Sequence, residues 1–189
     1  AGDAFDASIM WGRLAKHFGK DARIVSSSPG QILNVPIWIP QTLCQWHMIP
    51  QLRDRKTLQT IRSLRGISDE DKKTLENLNT LVIDNLGYML FQATQDATCQ
   101  LSDNASSVIQ FSEKGIVFKE KITRKEFEVM SEDNFRKIEE CVDSTLSRAG
   151  VSSKEIDSVL LTGGSSFIPK IRRIFSDRFG EEKLLPIDA

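Results

Sequence analysis

The residues best placed to do chemistry lie near the C-terminal end, in the string Val159-Leu160-Leu161-Thr162-Gly163-Gly164-Ser165-Ser166-Phe167-Ile168-Pro169-Lys170-Ile171-Arg172-Arg173. An apolar strand runs into a glycine pair, then a proline, then an amphipathic helix. Two residues without Cβ at a strand-to-helix junction let a flat or anionic ligand come close to the main chain, which suits a nucleotide. Taken alone the junction is a weak signal, because α/β turns also use glycine for geometric reasons. Other groups carry less. Cys44-x-x-His47 offers two ligands where a structural zinc needs four, so no metal is expected. His17, late in a helical stretch, reads as structural, because an imidazolium there meets the helix dipole favourably. Glu139-Glu140 and Glu181-Glu182 read as solvated faces. No nucleophile-His-acid arrangement stands out, and no catalytic residue is assigned within the chain.

Composition narrows the class of partner. A net charge of −1 gives no pull towards nucleic acid or an anionic membrane, either of which would need a clustered basic excess. Cys44, Cys99 and Cys141 are odd in number and widely spaced, which fits reduced thiols and a cytoplasmic location better than a disulfide framework. No apolar run approaches the ~20 residues that span a bilayer. The chain opens on Ala and closes on Leu185-Pro186-Ile187-Asp188-Ala189, and reads as a piece of a longer protein.

The elements that must position the glycine pair follow from periodicity. Phe5, Ile9, Met10, Leu14 and Phe18 recur at helical spacing and Gly19 stops them. Residues 26–50 differ: Ser26-Ser27-Ser28-Pro29-Gly30 is a loop signal, and Pro36, Pro40 and Pro50 break the apolar stretch around Trp38, Trp46 and Met48. Those three side chains read as a local core under a long loop, with an adhesive partner surface as the alternative. The basic run Arg53, Arg55, Lys56, Arg62, Arg65 reads as a solvated helix face. Ser68-Asp69-Glu70-Asp71 begins a long helix, with Leu75, Leu78, Val82, Leu86, Met89, Ala93, Ala97 and Leu101 on one face and a bend expected at Gly87.

Beyond it, Val108-Ile109-Gln110-Phe111 and Ile116-Val117-Phe118 flank Glu113-Lys114-Gly115 as a hairpin. Thr123-x-x-Glu126 is a capping box, and Ser131 a cap for a helix whose Phe135, Ile138, Val142 and Leu146 share a face before Gly150. Ser152-x-x-Glu155 repeats the box ahead of a strand at 157–162. A final helix carries Ile168, Ile171, Phe175 and Phe179. Helices first, then a hairpin, then mixed elements argue for α+β, or for lobes of a larger α/β fold. One strand at 157–162, joined at most by Lys183-Leu184-Leu185, leaves sheet edges unpaired and implies further strands elsewhere.

The full string at 159–173 resembles the third signature of the seventy-kilodalton heat-shock chaperones, down to Ser166 and Pro169. Ala1-Gly2-Asp3-Ala4-Phe5-Asp6 is similar to that family's Gly-Gly-x-x-Phe-Asp segment. A helix ending Leu101-Ser102-Asp103-Asn104, the strand Ser107-Val108-Ile109-Gln110-Phe111 and Thr123-Arg124-Lys125-Glu126-Phe127 follow in the same order. The resemblance implies an α+β fragment of an actin-like ATPase (ribonuclease H-like) α/β fold. Residues 1–122 would form a helical subdomain with the hairpin, including an insertion at 26–66, and residues 123–189 a partial strand-helix layer carrying the glycine pair.

In that family, adenosine is held between the glycine motif and a Glu-x-x-Lys-Arg-x-x-Ser face. Here those four positions are Gln95, Thr98, Cys99 and Ser102, and only Ser102 agrees. Phe167 stands where Arg is usual, either stacking on the base or serving as core. Gly2, Gly163, Gly164 and Ser165 complete the candidate cofactor-binding set. ATP or ADP with Mg²⁺ is the cofactor implied for the intact parent, with none held tightly by this piece. Implied partners are a missing first lobe, a nucleotide-exchange factor, J-domain co-chaperones and unfolded client polypeptides. The alternatives are a regulatory scaffold of the same family without ATPase activity and a small-molecule kinase of the actin-like superfamily.

Overall fold

In the computed structural model, which describes residues 2–26 and 31–185, the chain begins with helix α1 (Gly2–Ile9). The helix does not run on regularly to Phe18. It widens into a π-helical turn, Met10–Leu14, tightens into a 3₁₀ turn, Ala15–Phe18, and stops at Gly19 with φ 85°. Phe5, Ile9, Met10, Leu14 and Phe18 nevertheless all point inward.

Short strands β1 (Arg23–Val25) and β2 (Ile32–Asn34) pair antiparallel. The loop signal falls mostly on 27–30, outside the described residues, as do Ala1 and 186–189. Next come helix α2 (Trp38–Leu43), a 3₁₀ stretch (Trp46–Arg53) and helix α3 (Arg55–Ser63). Pro40 is tolerated in the first turn of α2, where its missing N–H has no intrahelical partner to lose. Asp54 caps α3 by accepting from the Lys56 and Thr57 amides at 2.9 and 3.0 Å. The local core of this segment is aliphatic: Ile39, Leu43, Ile49 and Leu52 are buried, whereas Trp38 and Trp46 are 43% and 36% exposed. The tryptophans are therefore not its buried centre. Arg53, Arg55, Lys56, Arg62 and Arg65 are all exposed.

The long helix is two. Helix α4 (Asp69–Ile83) starts from a full capping box between Ser68 and Asp71, and helix α5 (Gly87–Asp103) restarts after Asn85 adopts φ 55°. Gly87 marks a docking point: a Cβ there would sit 2.8 Å from Ile49 Cδ1. The break shifts the helical phase, so Leu90 is buried in place of Met89, which is exposed.

Strands β3 (Ser106–Glu113) and β4 (Ile116–Thr123) form the expected hairpin, with Glu113 opposite Ile116 and Phe111 opposite Phe118. Lys114 and Gly115 both take positive φ, the requirement of a two-residue type I′ turn. Ile109, Phe111, Ile116, Phe118 and Ile122 are buried, and α5 packs against β3.

The Thr123–Glu126 capping box opens α6 (Arg124–Met130), and α7 (Glu132–Ala149) ends at Gly150 in the left-handed conformation. Ser131 precedes α7 but gives it no side-chain cap. Its hydroxyl is buried without a partner among the described residues, because the Ser131 backbone is closing α6 in a near-helical geometry rather than the extended one a cap needs. Only Phe135 of the expected α7 face is buried; Ile138, Val142 and Leu146 are half-covered. The Ser152–Glu155 box caps a single 3₁₀ turn. Strand β5 (Val159–Leu160) is two residues long, and α8 (Pro169–Phe179) leads to β6 (Leu184–Leu185), which pairs parallel with it. Phe5 of α1 packs on Phe127 of α6 and Phe135 of α7, with ring centroids 5.1 to 6.4 Å apart. No described helix is long and apolar enough to cross a membrane.

Candidate functional site

Three pieces of chain meet around a cleft of about 270 Å³: the start of α1, the C-terminal half of α5 and the glycine loop. Gln95, Thr98, Cys99 and Ser102 all line it, because spacings of three, four and seven residues put them on one helical face. The end of that helix is held by Arg124, whose guanidinium donates to the Leu101 and Ser102 carbonyls at 2.8 and 3.2 Å.

On the opposite side, Gly163 (φ 82°, ψ 159°) turns the chain out of β5 in a conformation that favours glycine. Gly164 to Phe167 then form a 3₁₀ turn before Pro169, at the first position of α8. Ser166 is buried and stitches this turn shut: its amide and hydroxyl both donate to the Gly163 carbonyl, at 3.0 and 2.6 Å. Gly164 needs no special φ, and a Cβ built on it meets nothing within 4 Å. Gly2 faces the same loop, with its would-be Cβ 3.8 Å from Ser165 Oγ.

Seven of the nine candidate residues thus share one cleft: Gly2, Gln95, Thr98, Cys99, Ser102, Gly164 and Ser165. Gly163 shapes the turn without lining the cleft. Phe167 does not line it either and is 50% exposed, so it is not core.

Three lining residues escaped the sequence reading: Phe5, Asp6 and Ile168. Asp6 matters most, and its signal was the Phe-Asp pair closing the first motif. The residue is 7% exposed, and its carboxylate accepts a 2.7 Å hydrogen bond from Thr98 Oγ1. Burial raises its pKa above the ordinary carboxylate value, the Thr98 bond opposes this and Asp3 adds to it. The Cys99 thiol is likewise pushed up, by burial first and then by Asp6 and Asp96. Among the described residues no Lys or Arg lines the cleft. The site therefore offers hydroxyls, an amide and a carboxylate, groups that recognise a hydroxylated, neutral body such as a nucleoside, and nothing that would neutralise phosphate.

The remaining candidates lie elsewhere. His17 Nε2 meets Glu120 Oε1 at 2.7 Å and its ring stacks on Phe118 at 4.3 Å, a structural setting. Cys44 has its thiol against the Pro40 carbonyl. Among the described residues no group of three or more His, Cys, Asp or Glu could hold a metal ion.

Comparison with known proteins adds a family. The model of the family described as Hsp70 protein matches residues 75–189. The chain is 32% identical over 148 residues to hypoxia up-regulated protein 1 of Danio rerio, covering 76% of this chain and 14% of that protein. It is 35% identical over 88 residues to heat shock 70 kDa protein 13 of Homo sapiens, covering 47% and 18% respectively. A heat shock 70 kDa protein of Emericella nidulans is 37% identical over 92 residues, covering 48% and 14%. The chain spans less than a fifth of the length of these relatives, 14% to 18%.

Proposed function

The chain belongs to the Hsp70 protein family, and from that premise we propose that it forms the adenosine-binding side of the nucleotide cleft in a chaperone-type ATPase domain. The observation that carries the reading is Gly164. Its backbone demands no glycine and its missing Cβ faces open space in the cleft, so the room is kept for something other than the protein's own packing.

In this reading Gln95, Ser102 and Ser165 hydrogen-bond the ribose, while the backbone at Gly164 lies against the purine. Phe167, exposed beside the loop, is free to add an aromatic face. Phosphates and Mg²⁺ are held by groups outside this chain, in keeping with a cleft that no cationic side chain among the described residues lines. ATP hydrolysis is then a property of the whole domain, and opening of a hinge between lobes releases the product. Exchange factors, J-domain co-chaperones and unfolded clients are partners of the whole protein under the same proposal. The three unpaired cysteines support a reducing compartment such as the cytoplasm.

A second reading is favoured by Thr98. Its hydroxyl is committed to Asp6, and neither it nor Cys99 brings a positive charge to the cleft. A regulatory scaffold that no longer binds nucleotide would look the same on this face. Calorimetric titration of ADP and ATP with Mg²⁺ into the full-length protein, with this chain as control, separates the two. Saturable binding by the full-length protein is the expected result; no binding of either nucleotide, checked at two temperatures, would overturn it and favour the scaffold.

A further inference from the structure

The β1–β2 ribbon is open along one side. Strand β1 is covered on both edges: β2 pairs with one, and on the other Ile24 bridges Gly66, the Val25 amide donates to the Arg65 carbonyl at 2.9 Å and the Ile67 amide to that of Arg23 at 3.1 Å. Among the described residues β2 has β1 alone. The Val35 amide donates to the Ala22 carbonyl and the Ser26 amide to that of Gln31, and these bonds fall at alternate levels of the ladder. The amides and carbonyls of Ile32 and Asn34 therefore point away from β1. They have no hydrogen-bond partner among the described residues, and residues 31–34 are all exposed.

The outer face of this ribbon is both aliphatic and basic. Ile24 turns into the core, which puts Arg23 and Val25 on the outer face, with Asn34 and Ile32 opposite them. Val25, Ile32 and Ile67 are 54%, 50% and 41% exposed, and Arg23, Arg62 and Arg65 are exposed beside them. No carboxylate among the described residues pairs with any of these arginines. The Arg65 guanidinium rests on the Arg62 and Leu64 carbonyls, and Asp71, which accepts from the Arg23 amide, is held in its capping box with Ser68. The platform is firm, because Gly66 lies so close to α4 that a Cβ there would sit 2.5 Å from the Lys72 nitrogen. A row of outward amides and carbonyls calls for a partner that both donates and accepts. Phosphate only accepts, whereas an extended peptide offers both groups at strand spacing. The arginines favour an acidic one, and a second copy of this chain would set arginine against arginine.

We propose that the open edge of β2 takes up an extended acidic segment of a partner protein as an added strand, its backbone paired with Ile32 and Asn34, its aliphatic side chains beside Ile32 and its carboxylates answering the arginines. The site is independent of the nucleotide reading and stands or falls without it.

The test uses the full-length protein and a capped peptide, Asp-Thr-Val-Thr-Glu-Thr-Val, which in a strand carries its acidic and aliphatic side chains on one face. The same peptide with lysine in place of both acids is the counterpart. The acidic peptide should slow hydrogen exchange at residues 31–35 and bind at least about tenfold more tightly than the lysine peptide. Asn34→Pro removes an outward amide and leaves the bonds to β1 in place, so it should abolish the protection with circular dichroism and ADP binding unchanged. Ile32→Asp supplies the same test if the proline disturbs folding, and Arg23→Glu with Arg62→Glu should reverse the preference between the peptides. Equal affinity for both peptides, binding without protection of residues 31–35, or insensitivity to these substitutions would overturn the proposal. So would dimerisation of the protein that Asn34→Pro abolishes, since a second copy would then cover the edge.

Discussion

The two jaws of the cleft are built on opposite terms. On the loop side, Ser166 and Gly163 satisfy one another and leave Gly164 facing empty space. On the helix side, Thr98 turns its hydroxyl inward to a buried carboxylate. A ligand entering the cleft finds free main chain on one side and a protein hydrogen bond already made on the other. Affinity should therefore rest mainly on the loop, while the Thr98–Asp6 pair serves the stability of the fold.

The most damaging way to probe this division is to remove the floor beneath both jaws. Phe5 is fully buried against Phe127 and Phe135, so Phe5→Ala should cost about 3–5 kcal/mol in urea unfolding. Gly164→Val separates ligand from fold. In the full-length protein ADP affinity should fall roughly a hundredfold, about 2.7 kcal/mol, with the unliganded melting temperature unmoved. A loss of stability in place of affinity would show that the glycine serves packing after all.

Thr98→Val takes the donor from a buried carboxylate and should destabilise the chain by about 2 kcal/mol. A larger effect on ADP affinity than on stability would reverse the roles given to the two jaws. Away from the cleft, Ser131→Ala removes a buried hydroxyl that has no partner among the described residues, and a gain of about 1 kcal/mol is expected in the same unfolding assay.

The subtlest signal is in pH. Burial holds the Asp6 carboxyl above its ordinary value, so the folded state takes up its proton more readily than the unfolded state. The stability this lends is fully present below the unfolded pKa and is lost as pH rises through the folded one. Asp6→Asn should then stabilise the chain near neutral pH, with the gain vanishing below about pH 4. A gain independent of pH would mean that the carboxylate is not what is being relieved.

How far the sequence spoke for itself depended on whether a signal was local. The β3–β4 turn was legible because Lys114-Gly115 must take positive φ, the capping boxes at Thr123 and Ser152 because the residues that make them sit three apart, and the start of α4 because a capping hydroxyl and an acidic first turn follow one another at Ser68–Asp71. Seven of the cleft residues could be placed together because four fall on one helical face and the others carry family motifs.

Contacts between distant segments were not legible. Gly87 read as a bend within one long helix, yet it is where Ile49 docks, and the break before it moves Met89 out and Leu90 in. Asn85, a residue tolerant of the left-handed region, was the one local hint of that break. Asp6 was quoted within a motif, but its partner Thr98 lies 92 residues on, beyond the reach of periodicity. Ser131 shows the converse error: a cap residue in a cap position, with a backbone that denies it the role.

Adenosine is proposed to sit between α5 and the glycine loop. Photolabelling the full-length protein with 8-azido-ADP and mapping the adduct by peptide mass spectrometry tests it most directly. Labelling within residues 95–102 or 163–168, competed by unmodified ADP, is the result predicted. Competable labelling confined to other parts of the protein would contradict it.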